Sequence, residues 1–496
     1  MIQHMKIRFL RIPLSTTFRI TLLFLCLPSS MVIGSELYIG AAEVNITPKL
    51  PVALMGQFHL RIADEIHTPL RAGIVALETR NGAVGQDTAI FVSCDLIWIS
   101  TKMWNQVRSA VEEKIPGFNG NKIILNGTLT HTGPVIEDLT DEAAYFYYNI
   151  PKENVTQVSE YRQFLVSQIT KGILQAWEGR QKGSTTWGVR RAAIPYNRRV
   201  VYKDGSAAMY GNTMTPEFEG IEGYEDHDVN SLYFWNEKGG LISIGVNVSC
   251  PSQQVEGDTR IDADFWHPVR EKLKARFGSK LVVVGWAGAA GDQSPRPIYR
   301  KAALERMAEL SGENRMDDVS RRIADAVEIT YEIVKDDLQK DILLEHHYKE
   351  IELPMRLISV DEYIESKRVS EDTRMQIEQD SAQSDQLYVK MLWNDAIVKR
   401  YEVQKQIPNP QHKTEIHAIR LGDIAICTNQ FELFTDYGIQ IKARSKALQT
   451  FVIQLAGPGS YLPTEKAVYG GSYSAICQSN FVGPEGELFW LKKRWR

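Results

Sequence analysis

Two continuous apolar runs constrain the fold of this chain more than any other feature. They are residues 91–100 (FVSCDLIWIS) and 281–287 (LVVVGWA), whose β-branched and aromatic content is typical of strands buried on both faces. Residues 102–114 and 159–177, which lie between them, place apolar side chains at helical spacing. Strands that alternate with helices predict an α/β architecture of the layered α+β kind.

A charged block with very few glycines occupies residues 300–405. Helical periodicity in 306–338 and 384–404 predicts several long helices there, and strand-like residues return at 414–428. No internal repeat, low-complexity tract or flexible linker divides the chain. We therefore expect residues 36–496 to form one catalytic domain, with 300–405 as a long helical insertion.

The N-terminus differs from the rest of the chain. Four basic side chains between residues 6 and 19 precede a short apolar run, 20–27, and small residues follow up to Ser35. This pattern predicts a secretory signal peptide over 1–35 and therefore export to the periplasm or the medium. No later apolar run has the length of a membrane span, so we expect no stable membrane insertion. A formal charge of only −4 argues against a nucleic-acid partner.

Six short motifs hold most of the chemically reactive residues. They are IGAAEVNITP (39–48), FVSCD (91–95), GTLTHTGP (127–134), GAAGDQSP (288–295), FELF (431–434) and YLPT (461–464). In this order they resemble the motifs of the neutral ceramidase family, also called the neutral/alkaline non-lysosomal ceramidases. The resemblance extends from residue 37 to residue 480 and implies the fold of that family's N-terminal catalytic domain.

The resemblance also implies zinc-dependent amide hydrolysis, but two zinc ligands are missing. Glu432 and Tyr461 match two of the family's four ligands. Leu129 stands where the first histidine of the family's H-T-H motif lies, and segment 247–252 (NVSCPS) has no histidine at the other ligand position; Cys250 is the nearest donor there. Because a carboxylate and a phenol alone make a poor zinc site, we predict no cofactor. A divalent cation such as zinc, bound by Glu432 and Tyr461, is the alternative.

Other residues are marked as candidates by the same resemblance. His131 matches the second histidine of the H-T-H motif, and we predict that His131, Tyr461 and Glu432 are catalytic. The residues expected to bind substrate are Asn197, Arg198, Arg199, Ser294, Arg296, His59 and His67. Arginine suits a carboxylate or phosphate group because it forms paired hydrogen bonds. Since the chain has no GxSxG motif, we expect Ser294 to shape the loop or bind substrate rather than act as a nucleophile.

Three functions fit these residues. We predict a carbohydrate-active enzyme that uses side-chain acid–base chemistry, either for lyase-type β-elimination at a uronic acid or for glycoside cleavage. In elimination, an arginine stabilises the intermediate and a histidine or tyrosine removes the proton. The alternative is a metal-dependent amidohydrolase of the neutral ceramidase type, and a second alternative is a non-catalytic binding protein. In each case the partner is a small molecule or a glycan.

Overall fold

The computed structural model of the protein describes residues 35–138, 148–379 and 384–486. Except for Ser35, the predicted signal peptide lies outside the described residues. The described residues belong to one compact unit. Among them, no helix combines the length and the apolar character needed to cross a membrane.

Strands and helices alternate along the described chain. The strands are β1 (Glu36–Asn45), β2 (Val52–Leu54), β3 (Arg61–Ala63), β4 (Arg71–Asn81), β5 (Val84–Cys94), β6 (Ile123–Gly127), β7 (Gln181–Arg191), β8 (Tyr196–Asn197), β9 (Arg199–Tyr202), β10 (Ala207–Met209), β11 (Phe218–Ile221), β12 (Asp228–Asn236), β13 (Leu241–Val248), β14 (Val282–Ala287), β15 (Gln293–Ser294), β16 (Leu344–Pro354), β17 (Gln411–Leu421), β18 (Ile424–Thr428), β19 (Glu432–Leu433), β20 (Gln449–Ile453) and β21 (Tyr461–Leu462). The helices are α1 (Thr101–Lys114), α2 (Val158–Glu178), α3 (Trp266–Phe277), α4 (Lys301–Ser311), α5 (Arg315–Val334), α6 (Val360–Gln379), α7 (Ser384–Gln406), α8 (Thr435–Arg444) and α9 (Glu465–Gly470), with short 3-10 turns at Gly120–Lys122 and Cys477–Ser479.

An eight-stranded sheet forms the centre of the fold, in the order β14-β13-β12-β7-β1-β4-β5-β6. Its inner pairs are antiparallel, whereas the edge pairs β13–β14 and β5–β6 are parallel. The two apolar runs singled out in the sequence contribute β14 and the buried second half of β5. Because these strands carry apolar side chains on both faces, the sheet has to be covered on both sides.

The two faces of the central sheet are covered by different layers. Successive residues of β4 point to opposite faces, so Ile74 packs with α1 and α2, and Val75 packs with the second sheet. That second sheet has four strands, in the order β16-β17-β18-β20. Helices α3 and α5 pack beside β12 and β13. The layered α+β architecture predicted from the sequence is confirmed.

In its described residues, the block at 300–405 contains four helices and one long strand. The single helix predicted over 306–338 is two helices, because Gly312 takes a left-handed conformation (φ 70°) that ends α4. Asn314 then begins α5, since its side chain accepts a hydrogen bond from the backbone N–H of Asp317. Strand β16 joins the second sheet by pairing with β17, so this block is not helical throughout.

Candidate active site

The candidate site lies where loops that follow the parallel strands converge. His131 follows β6, Gln253 follows β13, Gly291 follows β14, Glu432 follows β18 and Tyr461 follows β20. Each of these strands belongs to one of the parallel pairs β5–β6, β13–β14 and β18–β20. Loops beyond the carboxyl ends of parallel strands are where such sheets present reactive groups. The sheet topology therefore gathers residues that are distant in the sequence.

Glu432 and Tyr461 are neighbours because β19 and β21 pair in parallel, with these two residues opposite each other. The two side chains lie close enough for each to shift the pKa of the other. Burial raises the pKa of Glu432 to about 7, although the charge of Arg198 opposes this rise. Burial and the charge of Glu432 hold the pKa of Tyr461 well above its usual value. Tyr461 is therefore a neutral phenol, whereas Glu432 changes charge near neutral pH.

Arg198 occupies the centre of the site and is only 2% exposed. Its Nη2 donates hydrogen bonds to Tyr461 Oη (3.2 Å) and to the carbonyl oxygen of Gly291 (3.0 Å). Its Nη1 donates to Gln253 Oε1 (3.2 Å) and to Tyr210 Oη (3.4 Å). A single guanidinium thus joins the Tyr461–Glu432 pair to the opposite side of the site.

His131 extends this network as a neutral side chain. Its Nδ1 lies 3.0 Å from the carbonyl oxygen of Gly56, and its Nε2 lies 2.6 Å from Gln253 Nε2. Since a carbonyl can only accept, Nδ1 carries the proton and Nε2 accepts from the Gln253 amide. Burial, with the nearby charge of Arg61, lowers the pKa of His131 to about 3. Both ring nitrogens of His131 therefore have protein partners.

Asn197, Ser294 and Arg296 lie around Arg198. The Asn197 amide donates to Asp292 Oδ2 (2.8 Å), and the Asp292 carbonyl accepts from the backbone N–H of Arg198 (2.9 Å). Ser294 Oγ accepts from Tyr210 Oη (3.1 Å) and from the backbone N–H of Arg296 (3.1 Å). The Arg296 guanidinium forms an ion pair with Glu256. These residues support the site, and Arg296 adds a second guanidinium whose charge is paired with Glu256.

Three residues expected to bind substrate are not joined to this network. Arg199 pairs with Glu222 (Nε to Oε2, 2.6 Å), and it also donates to carbonyl oxygens of α9 and of the loop after it. His67 is half exposed and contacts Asp262 (2.5 Å). His59 is half-buried in the loop between β2 and β3 and takes no part in the hydrogen bonds described above. The structure therefore gives Arg199 a structural position.

Several site residues were not found from the sequence. Gln253 and Tyr210 belong to no recognisable motif, and only the position of Gln253 just after segment 247–252 pointed toward it. An aromatic wall formed by Phe58, Trp393 and Tyr473 lies beside Tyr461. Phe58 is 5.3 Å from Trp393 and 5.4 Å from Tyr473, and Tyr473 is 5.4 Å from Tyr461, between ring centroids. Trp393 belongs to α7, so the 300–405 block contributes to this wall.

The donor atoms do not fit the zinc site that the family resemblance implies. Leu129 has a left-handed backbone (φ 64°) and its side chain is fully buried in the apolar core. Burial raises the pKa of the Cys250 thiol well above its usual value, which disfavours the thiolate that a metal requires. Arg198 donates a hydrogen bond to Tyr461 Oη, which is the oxygen atom that would have to bind the metal ion. In the described part of the chain, no group of three or more His, Cys, Asp or Glu is arranged to hold a metal ion.

Comparison with known proteins identifies the fold. One match is the neutral ceramidase from Pseudomonas aeruginosa, with a TM-score of 0.66 and 15% identity over 92% of this chain and 73% of that chain. Another is a ceramidase complexed with C2, with a TM-score of 0.64 and 14% identity over 92% and 74% of the two chains. The fold is that of the ceramidases. No protein-family model and no curated protein matches the sequence.

Proposed function

We propose that this protein is a hydrolase that cleaves the amide bond of an N-acyl substrate with side-chain groups in place of a zinc ion. The observation that carries the proposal is the arrangement of Arg198 against the Tyr461–Glu432 pair, 3.2 Å from Tyr461 Oη. It puts a proton acceptor and a fixed positive charge side by side in a buried site. The two solved structures compared above are ceramidases. This similarity supports hydrolysis over the β-elimination predicted from the sequence.

Each residue has a role in this reaction. Ionised Glu432 takes a proton from water as the water oxygen attacks the carbonyl carbon. Arg198 and the Tyr461 hydroxyl stabilise the negative charge that develops on the carbonyl oxygen. Gln253 and His131 hold the Arg198 guanidinium in place through their chain of hydrogen bonds. No step of this proposed reaction requires a metal ion.

The test measures release of a fluorescent fatty acid from N-acylsphingosine and from simpler N-acyl amides. Glu432→Gln keeps the size of the side chain but cannot accept the proton, so we expect kcat to fall about 10²–10⁴-fold. Glu237→Gln, at the exposed end of the β12–β13 hairpin, is the matched control and retains activity. For the unmodified protein, kcat/KM rises with pH through about 7, because Glu432 has to lose its proton first.

Removal of metal separates this proposal from zinc catalysis. We expect dialysis against a chelator to leave activity unchanged and the purified protein to hold less than one zinc ion per chain. Stoichiometric zinc whose removal abolishes turnover would contradict the side-chain mechanism. An unchanged rate for Glu432→Gln would remove Glu432 from it.

A second candidate is β-elimination at a uronic acid. The observation that favours it is the pair of arginines, Arg198 and Arg296, that flank the Tyr210 ring at 5.8 and 5.6 Å from its centroid. Two guanidinium groups suit a substrate carboxylate, which would compete with Glu256 for Arg296. The structural comparisons give this reaction no support. Uronate-containing glycans test it directly, since elimination creates a C=C bond that absorbs ultraviolet light and hydrolysis does not.

A further inference from the structure

Tyr210 has an unusual backbone for an aromatic residue. It follows β10 and lies in the left-handed region (φ 55°), although the glycine that favours this conformation comes one position later, at Gly211. The backbone N–H of Tyr210 donates to the carbonyl oxygen of Arg198 (2.7 Å), which holds the turn in place. A bulky side chain in this region is rare, and such strain is concentrated at functional sites.

The strained turn brings the Tyr210 hydroxyl between charged and polar groups. Its Oη lies 3.1 Å from Ser294 Oγ and 3.4 Å from Arg198 Nη1. Burial raises the pKa of Tyr210, but Arg198, Ser294 and Arg296 outweigh this effect and lower the pKa to about 8. The residue as a whole is 41% exposed. Tyr210 is thus a phenol that gives up and regains a proton readily.

Arg198 places Tyr210 opposite the proton acceptor of the proposed reaction. Nη1 of Arg198 reaches Tyr210, whereas Nη2 reaches Tyr461, the strand partner of Glu432. Tyr210 and Tyr461 therefore contact different nitrogen atoms of one guanidinium, and Glu432 lies on the Tyr461 side. Cleavage of an alkyl amide needs a proton donor as well as a proton acceptor, because an amine leaves poorly unless its nitrogen is protonated.

We propose that Tyr210 is the general acid that protonates the leaving nitrogen of the amide. This inference rests on the proposed hydrolysis. Water forms the new C–O bond and gives a proton to Glu432. When the C–N bond breaks, its electron pair goes to nitrogen, which takes the proton of Tyr210. Solvent then restores the proton of Tyr210 and removes that of Glu432, so the net reaction consumes one water molecule.

The experiment compares two substrates with the same acyl group, an alkyl amide and an aryl ester. A phenol leaves as its anion and needs no proton, so only the amide depends on a general acid. For Tyr210→Phe we expect amide kcat/KM to fall about 100-fold or more, with the ester rate nearly unchanged. Tyr224→Phe, a tyrosine that is 66% exposed on the neighbouring loop, should leave both rates unchanged.

Two other results would overturn the proposal that Tyr210 is the general acid. If Tyr210→Phe lowers both rates equally, or neither, Tyr210 is not the general acid and the inference is overturned while the hydrolase proposal stands. If the unmodified protein cleaves neither substrate, the proposed function fails and this inference fails with it. The pH profile of the unmodified protein provides a check that needs no variant. Amide turnover should decline above about pH 8, and ester turnover should lack this decline.

Discussion

The ion pair of Arg199 with Glu222 offers a quantitative test of how the site is supported. Arg199 is fully buried and its partner's side chain is 5% exposed. Arg199 also donates to the carbonyl oxygens of Tyr473 (3.1 Å), Ala467 (3.2 Å) and Gly471 (2.8 Å). Replacing Arg199 with methionine fills similar space but leaves the Glu222 carboxylate buried without its partner. The loop that carries Tyr473 loses its anchor as well.

The expected cost follows from the burial of both partners. Breaking a buried pair by removing one partner destabilises a protein by about 3–5 kcal/mol. For a domain of this length the entropy of unfolding is about 1 kcal/mol/K, so Tm should fall by about 3–5 °C for Arg199→Met. Arg191→Met removes an arginine whose side chain is 87% exposed, and its effect should stay within about 0.5 kcal/mol. Differential scanning calorimetry under matched conditions measures both.

A double variant tests the physical reason. If the cost comes from the unpaired charge, Arg199→Met combined with Glu222→Leu should recover part of the lost Tm, because apolar replacement of a buried pair is often nearly neutral. An Arg199→Met variant as stable as Arg191→Met would refute the structural role of Arg199. A double variant no more stable than Arg199→Met would show that the lost hydrogen bonds of Arg199 to carbonyl oxygens, rather than the unpaired charge, dominate.

Two further predictions concern the aromatic wall and Leu129. Trp393→Ala should raise KM about 10-fold because it removes one ring from the aromatic wall. The control Trp177→Ala loses a ring contact with Phe118 outside the site and should leave KM unchanged. Equal KM values for the two variants would show that the wall does not contact substrate. Leu129→His should lower Tm without conferring zinc binding, because the Leu129 side chain lies in the apolar core. Leu129→Met is the control that keeps the core apolar. Stoichiometric zinc in the histidine variant, measured by elemental analysis, would contradict the placement of Leu129.

The sequence predicted the layers of the fold better than the chemistry of the site. Apolar runs and helical periodicity are local signals, and they correctly indicated β14, α1 and α2. The break at Gly312 was missed because one glycine within a long helical pattern is a weak signal. The motif order also indicated a ceramidase-like fold, which the structural comparisons support.

Patterns in the sequence indicate the architecture and show that histidine is absent at two positions where the family resemblance implies it. The contacts of each site residue follow from the folding of the chain. Arg198 and Arg199 are adjacent in the chain, yet one joins the Tyr461–Glu432 pair and the other anchors a loop. Tyr461 and Gly471, their respective partners, lie 263 and 272 residues further along the chain, and successive side chains of an extended segment point in opposite directions. Chain spacing cannot encode such contacts, because they depend on how separate strands pair.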